Sequence, residues 1–164
     1  MSTATSHPFA IDRDDRPTRP IVRSHDATRV LPLLGRICYA AIFILAAPKH
    51  FTPALVQVAA AHGVPFADLA VPLSGVFAAA GGLSVLFGYK AKTGALLLVL
   101  FLVPVTLFIH PPWVASQMEN FMKNVGLLGG ALLFGYFGAG PLSADAHIAR
   151  THVEMRQIDE DDAF

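Results

Sequence analysis

Residues 69–88 read LAVPLSGVFAAAGGLSVLFG, twenty positions without one charged side chain. At the rise of an α-helix this stretch is about 30 Å long, which matches the hydrocarbon thickness of a bilayer. Apolar residues occupy all sides of the projected helix, and the alternation expected of a barrel strand does not occur. Because backbone polar groups in lipid must be paired within the segment, the stretch predicts a transmembrane α-helix.

Three more apolar segments resemble this one, at residues 31–47, 93–109 and 125–142. The first contains Arg36 near its start, and an arginine so placed can extend its side chain to the lipid headgroups. The segment at residues 93–109 contains Pro104, which predicts a kink. Together the segments predict an all-α integral membrane four-helix bundle over residues 31–146. Residues 1–30 are predicted to be a polar, disordered tail, and residues 147–164 a second polar tail.

The connections between the apolar segments differ in length. Residues 88–92 are short enough to predict an antiparallel hairpin of the second and third helices. Residues 52–68 are longer and predict a short interfacial helix from Pro53 to His62, because proline suits the first turn of a helix.

The composition supports a membrane protein. Hydrophobic residues make up 54% of the chain and charged residues 15%, whereas soluble domains carry about 25% charged residues. Much of the surface must therefore face something other than water, and the lipid bilayer is the expected partner. The formal net charge is zero, and no basic patch is interleaved with aromatic residues, so no nucleic-acid partner is predicted.

The distribution of basic residues predicts the orientation in the membrane, because arginine and lysine accumulate on the cytoplasmic side. Ten of the twelve would lie on one side of the predicted bundle, and only Lys49 and Lys123 on the other. The ten are Arg13, Arg16, Arg19, Arg23, Arg29, Arg36, Lys90, Lys92, Arg150 and Arg156. This asymmetry predicts that both termini are cytoplasmic.

Polar residues beside the membrane concentrate at the predicted outer end of the bundle. Histidine and lysine can bind a carbonyl group, an aromatic side chain can stack on a ring, and ionisable groups at membrane depth are often functional. The candidate ligand-binding residues are Lys49, His50, His110, Trp113, Glu119, Lys123 and Asn124. A competing interpretation is an interfacial girdle of anchoring residues without chemistry.

Other kinds of site receive less support. His50, His62, His110 and Glu119 could supply metal ligands, but they lack the close His-x-x-x-His spacing of such sites, so no metal is predicted. No serine or cysteine stands beside a plausible base, and no glycine loop suited to phosphate follows a strand. The sequence therefore contains no self-contained catalytic constellation, and whether the protein is an enzyme stays open.

Several short motifs, in order, resemble the DoxX family of small four-helix bacterial membrane proteins over residues 31–146. Those of the first three helices are Gly35-Arg36, Lys49-His50-Phe51 followed by Pro53, His62-Gly63-Val64-Pro65, Gly81-Gly82, Gly88, and His110 before Trp113. The most specific are Phe121-Met122-Lys123-Asn124-Val125-Gly126-Leu127-Leu128-Gly129-Gly130 and Gly140-Pro141-Leu142-Ser143-Ala144-Asp145.

The resemblance implies a location in a bacterial inner membrane and a role beside redox enzymes. Family namesakes are associated with quinone-linked sulfur oxidation and terminal oxidases, and some relatives with thiol and oxidative-stress defence through partner enzymes. Many relatives carry a glutamate one turn before the glycine pair of the second helix, where this chain has Phe77-Ala78-Ala79-Ala80. Pro48 also replaces the usual glycine-containing pattern.

Three functional hypotheses follow from these features. The first is a membrane subunit of a quinone-linked or thiol redox system, with a quinone as its expected ligand and redox proteins or a second copy as partners. The second is a small-solute carrier or permease component, although the second and third helices contain no charged residue. The third is a scaffold that recruits partner enzymes through its tails.

Overall fold

A computed structural model describes the backbone of residues 25–161 and the side chains of residues 29–158. Its elements are helix α1 (His25–Ala46), a 3₁₀ turn (Ala47–Phe51), α2 (Pro53–Ala61), α3 (Ala67–Phe87), α4 (Ala91–Phe108), a second 3₁₀ turn (Ala115–Gln117), α5 (Met118–Phe137) and α6 (Ala144–Asp161). Most of the predicted disordered tail, residues 1–24, lies outside the described residues. Its last six residues form the start of α1.

Three helices in the described part of the chain are long and apolar enough to cross a membrane. They are the continuous helix Arg29–Phe51, α3 and α4. The predicted spans at residues 69–88 and 93–109 coincide with α3 and α4 within two residues, and the predicted short helix after residue 52 is α2. These segments are the ones whose apolar runs have few polar interruptions, which is why the sequence located them well.

Helix α5 differs from the predicted fourth span. It begins at Met118 and ends at Phe137, so it starts seven residues earlier and stops five residues earlier than residues 125–142. Glu119, Asn120, Lys123 and Asn124 lie in its first two turns, and they make it less apolar than α3 and α4. Gly138, with φ of 75°, ends the helix before the apolar run does.

The long helices pack side by side in the order α1, α3, α4, α5, and α2 lies against α3. Aromatic side chains fill the space between α1 and α5. The Tyr39 ring lies 5.1 Å from that of Phe134, and its hydroxyl donates to the Leu127 carbonyl oxygen at 2.6 Å. A Cβ added to Gly130 would lie 2.6 Å from the Tyr39 ring, so this glycine makes room for the tyrosine.

Glycines permit close contact where α3 meets α1 and α4. A Cβ added to Gly81 would lie 2.9 Å from the Gly94 carbonyl oxygen of α4, and one added to Gly82 would lie 3.0 Å from Ile44 of α1. Small residues allow such backbone approach in membrane helices, where van der Waals packing replaces the hydrophobic effect.

The end of the bundle where α3 turns into α4 is closed by a clasp, which comprises the turn at residues 88–90 and the segment at residues 138–145. The Asp145 carboxylate accepts hydrogen bonds from the backbone N–H groups of Lys90 and Ala91, at 2.8 and 3.1 Å. The Asp145 N–H in turn donates to the Gly88 carbonyl oxygen at 2.9 Å. Asp145 therefore caps α4 from a distant part of the chain, where the helix dipole favours an anion.

Arg36 contributes to the same clasp, and the expectation that it reaches the headgroups is wrong. Its side chain is 1% exposed, and it donates a hydrogen bond to the Leu142 carbonyl oxygen. Nε and Nη1 have no hydrogen-bond partner among the described residues. The protein itself therefore accommodates this charge, with a carbonyl of the clasp as hydrogen-bond acceptor.

Helix α6 leaves the bundle beyond the clasp. The residues of this predicted second tail are helical to Asp161, and all side chains from 147 to 158 are exposed. Ile148, Met155 and Ile158 recur at intervals of seven and three residues, which places them on one face of the helix.

Candidate functional site

A cavity of about 310 Å³ lies at the end of the bundle opposite the clasp. We call this end the α2 end, which is formed by the 3₁₀ turn Ala47–Phe51, α2 and the last turns of α4. The cavity walls are mainly apolar. The lining residues are Ala46, Lys49, His50, Leu55, Ala59, Val64, Ala70, Val71, Ser74, Phe101, Pro104, Val105, Phe108, Ile109 and His110.

Helix α2 closes one side of the cavity because the chain reverses sharply on either side of it. Pro53 stands at its first turn, and Gly63 (φ 77°) and Phe66 (φ 52°) adopt left-handed conformations after it. This reversal brings Ala59 of α2 against Val71 of α3, and both residues are buried. A small apolar cluster thereby forms one wall of the cavity.

Gly75 of α3 determines where His50 can lie. A Cβ added at this glycine would stand 2.6 Å from the His50 Cβ and 3.1 Å from the Phe51 ring. Any larger residue would push the 3₁₀ turn away from α3. The ring of His50 then packs against Phe101 of α4, with centroids 5.3 Å apart and planes at 68°.

Few polar groups line the cavity. The His50 Nδ1 lies 3.2 Å from the Ala46 carbonyl oxygen, and the His110 Nδ1 lies 2.8 Å from the Gln117 Oε1. The Ser74 hydroxyl donates to the Val71 carbonyl oxygen at 2.7 Å. Lys49 is exposed at the rim. Apolar walls with a few convergent polar groups are typical of sites for small organic molecules.

Three of the seven predicted site residues, Lys49, His50 and His110, line this cavity. The other four are not among its lining residues. Trp113 is 75% exposed, Glu119 and Lys123 are exposed, and Asn124 is buried with 8% exposure. Lys123 and Asn124 therefore point to different surroundings, although they are adjacent in sequence, because helical neighbours differ by about 100° in direction.

Lys123 is nevertheless connected to His110 through side chains. Its ammonium donates to the Asn120 Oδ1 at 3.1 Å, and the Asn120 Nδ2 donates to the Gln117 Oε1 at 3.3 Å. The same Gln117 oxygen lies beside the His110 ring. We call His110, Gln117, Asn120 and Lys123 the amide relay.

Sequence reasoning missed the apolar walls of the cavity. Residues such as Leu55, Val71, Phe101 and Phe108 resemble every other apolar residue of a membrane helix, and no local signal separates a cavity wall from a lipid-facing position. Pro104, a predicted kink, does line the cavity.

No group of three histidine, cysteine, aspartate or glutamate residues in the described ranges could hold a metal ion. The apolar walls and the few polar groups of the cavity suit an apolar molecule with a polar group near one end.

Comparison with known proteins places the chain in a family. Residues 31–111 match the DoxX family. The chain is also 30% identical to the inner membrane protein YphA of Escherichia coli (strain K12) over 127 residues, which cover 73% of this chain and 91% of the relative. The chain belongs to the DoxX family. No solved structure matches it significantly.

Membership in the DoxX family confirms the predicted resemblance, and with the three apolar helices it supports a membrane location. The structure also shows which contacts one of the predicted motifs makes in this DoxX-family chain. Gly140-Pro141-Leu142-Ser143-Ala144-Asp145 carries the carbonyl that Arg36 contacts and the carboxylate that caps α4. This motif therefore holds the fold together at the clasp, away from the cavity.

Proposed function

We propose that this DoxX-family protein is a small membrane subunit that binds a quinone-class molecule in the cavity at the α2 end. It would act within a quinone-linked or thiol redox system. The observation that carries the proposal is the cavity itself, with apolar walls and with His50, His110 and Lys49 among its lining residues. Catalysis by the chain alone is not part of the proposal.

The size and composition of the cavity support this ligand class. Its volume of about 310 Å³ falls at the lower end of the range of small-molecule sites, about 300–1,000 Å³. Phe101 and Phe108 are the aromatic side chains of the wall, and aromatic rings pack favourably against a planar ring at about 5 Å. A prenyl tail could leave through the lipid-facing side, since the walls are formed by membrane helices.

The proposal includes four membrane crossings with both termini in the cytoplasm of a bacterial cell, in its inner membrane. The ten-to-two distribution of basic residues supports this orientation. The description of the relative as an inner membrane protein supports the location. Helix α5, which packs along α4, would be the fourth crossing. The cavity would then open toward the periplasm.

Reporter fusions test this orientation. A fluorescent protein fused after Phe164 should fluoresce and alkaline phosphatase at the same position should be inactive, because the former requires the cytoplasm and the latter the periplasm. Phosphatase fused after Gly63, at the α2 end, should be active. Active phosphatase after Phe164 would contradict the proposed topology.

The exposed helix α6 supports the attachment of a partner protein. Its apolar face, with Ile148, Met155 and Ile158, extends away from the bundle. We propose that a soluble protein of the same redox system binds there, while the quinone-class molecule occupies the cavity.

Leucine substitutions test the role of the cavity histidines. His50→Leu and His110→Leu should each weaken binding of the preferred redox form of a short-chain naphthoquinone by about tenfold, with both the oxidised and the reduced forms assayed in nanodiscs. That factor corresponds to the loss of one hydrogen bond, about 1.4 kcal/mol. Titration calorimetry or quenching of Trp113 fluorescence provides the measurement.

His62→Leu is the matched control. The Nδ1 atom of His62 lies 2.8 Å from the Val58 carbonyl oxygen, the same i−4 contact that His50 makes, but His62 does not line the cavity. Binding to this variant should equal that of the unsubstituted protein. If neither redox form of the probe binds saturably to the unsubstituted protein, the proposed function is wrong.

A further inference from the structure

Lys123 sets the direction of every hydrogen bond in the amide relay. An ammonium group only donates, so the Asn120 atom beside it, at 3.1 Å, must be the acceptor Oδ1. The Nδ2 of Asn120 therefore faces Gln117 and donates to its Oε1 at 3.3 Å. The chemistry of the lysine thus assigns the orientation of both amides.

The relay in turn assigns the tautomer of His110. Its Nδ1 lies 2.8 Å from the Gln117 Oε1, and an amide oxygen only accepts. Nδ1 must therefore carry the hydrogen. In the neutral ring, Nε2 is then unprotonated and can only accept a hydrogen bond.

His50 adopts the same tautomer because of one contact with the backbone. Its Nδ1 lies 3.2 Å from the Ala46 carbonyl oxygen, which is also an obligatory acceptor. The Nδ1 of His50 therefore carries the hydrogen, and its Nε2 is a second acceptor. Both rings line the same cavity.

The remaining polar groups of the cavity do not add an enclosed hydrogen-bond donor. The Ser74 hydroxyl hydrogen is committed to the Val71 carbonyl oxygen at 2.7 Å. Lys49 is a donor, but it is exposed at the rim and free to interact with solvent. His50 and His110 are less exposed than Lys49. The polar atom that each neutral ring offers to a ligand is thus a hydrogen-bond acceptor.

We infer that the cavity selects a ligand that donates hydrogen bonds, namely an aromatic compound with hydroxyl groups, over the dione of the same skeleton. This inference rests on the proposed function and specifies it: the preferred member of the quinone couple is the hydroquinone. His50 and His110 are the specificity-determining residues, and Gln117 and Asn120 are positioning residues that hold the His110 ring in the accepting tautomer. In this tautomer a neutral histidine accepts a hydrogen bond at Nε2 and has no free N–H for a ligand carbonyl.

Three probes with one skeleton test the selectivity in nanodiscs that contain the full chain. They are a short-chain naphthohydroquinone, the corresponding naphthoquinone, and the dimethyl ether of the hydroquinone, which keeps the shape but lacks the O–H donors. The assay is anaerobic and at about pH 8, above the range in which histidine ordinarily titrates. We expect the hydroquinone to bind about tenfold more tightly than either other probe, which corresponds to about 1.4 kcal/mol.

Nitrogen NMR of the ¹⁵N-histidine-labelled full chain gives a second readout that needs no ligand. The resonances of His50 and His110, assigned through the leucine variants, should show a protonated Nδ1 and an unprotonated Nε2. Gln117→Leu should leave the His50 tautomer unchanged, redistribute that of His110, and reduce the preference for the hydroquinone. A merely structural role for Gln117 would not change a ring tautomer.

The outcomes separate this inference from the proposed function. Equal binding of all three probes, or protonated Nε2 atoms in the unliganded protein, would overturn the selectivity while the quinone-class proposal stands. Absence of binding by every probe would overturn both. Tighter binding of the hydroquinone together with Nδ1-protonated rings would establish it.

Discussion

Gly88→Ala is expected to destabilise the protein by about 3 kcal/mol, because it combines backbone strain with a steric clash. Gly88 adopts φ of 66°, and its added Cβ would approach the Arg36 guanidinium and stand 2.5 Å from the Ser143 Cβ. Arg36 is buried and Ser143 belongs to the clasp, so neither can retreat without opening the hydrogen bonds around Asp145. Thermal unfolding of the purified protein in detergent, followed by circular dichroism, measures the change.

Gly63→Ala separates the two causes. Gly63 also has positive φ, 77°, but a Cβ there would meet nothing within 4 Å. This control carries the strain without the clash and should cost only about 1 kcal/mol. Equal effects of the two substitutions would show that the clasp does not enclose Gly88 as described.

Ser74→Phe is expected to abolish ligand binding while the bundle stays folded. Ser74 lies on the cavity wall and is only partly buried, so a phenyl ring can enter the cavity and occupy the space of a ligand ring. We expect binding of the naphthoquinone or its reduced form to fall by more than about a hundredfold, near 3 kcal/mol. Binding in nanodiscs and the unfolding temperature are measured on the same preparation.

Val76→Phe is the matched control for this substitution. Val76 is two residues further along α3, is 48% exposed and does not line the cavity. The added ring would extend into lipid, where it is compatible with the surroundings, and binding should be unchanged. Retained binding in Ser74→Phe would place the ligand elsewhere on the protein.

The sequence predicts α3 and α4 closely because a helix that crosses a membrane requires a continuous run of apolar residues. Each is a run of apolar residues whose length is fixed by the bilayer thickness, and its ends are marked by turn or polar residues. Helix α5 was placed less well, since its first two turns are polar and its end is set by the backbone conformation at Gly138.

The location of Arg36 could not be predicted from its own neighbourhood. The carbonyl it contacts belongs to Leu142, 106 residues away. The segment that carries this carbonyl also caps α4 through Asp145, so the burial of the charge depends on a tertiary contact. Sequence alone offered only the general solution for arginine near a membrane edge, which is extension to the headgroups.

Only some of the candidate site residues line the cavity, for a similar reason. The polar residues of the sequence indicate the α2 end of the bundle, and His50 and His110, which line the cavity, are among them. Polarity could not distinguish His50, which lines the cavity, from Trp113, which is exposed. That distinction depends on how α2 folds back onto α3, which the left-handed conformations of Gly63 and Phe66 decide.

Photoaffinity labelling tests most directly whether the cavity at the α2 end is a binding site for a quinone-class molecule. A short-chain naphthoquinone with a diazirine on its ring would be irradiated with the full chain in nanodiscs, in both redox forms, and the labelled residues found by mass spectrometry. We predict labels confined to residues 46–50, 55–64, 70–74 and 101–110, and their loss when the unmodified compound is added in excess. Labels spread over the lipid-facing surfaces of α1 and α5, without competition, would contradict the proposal.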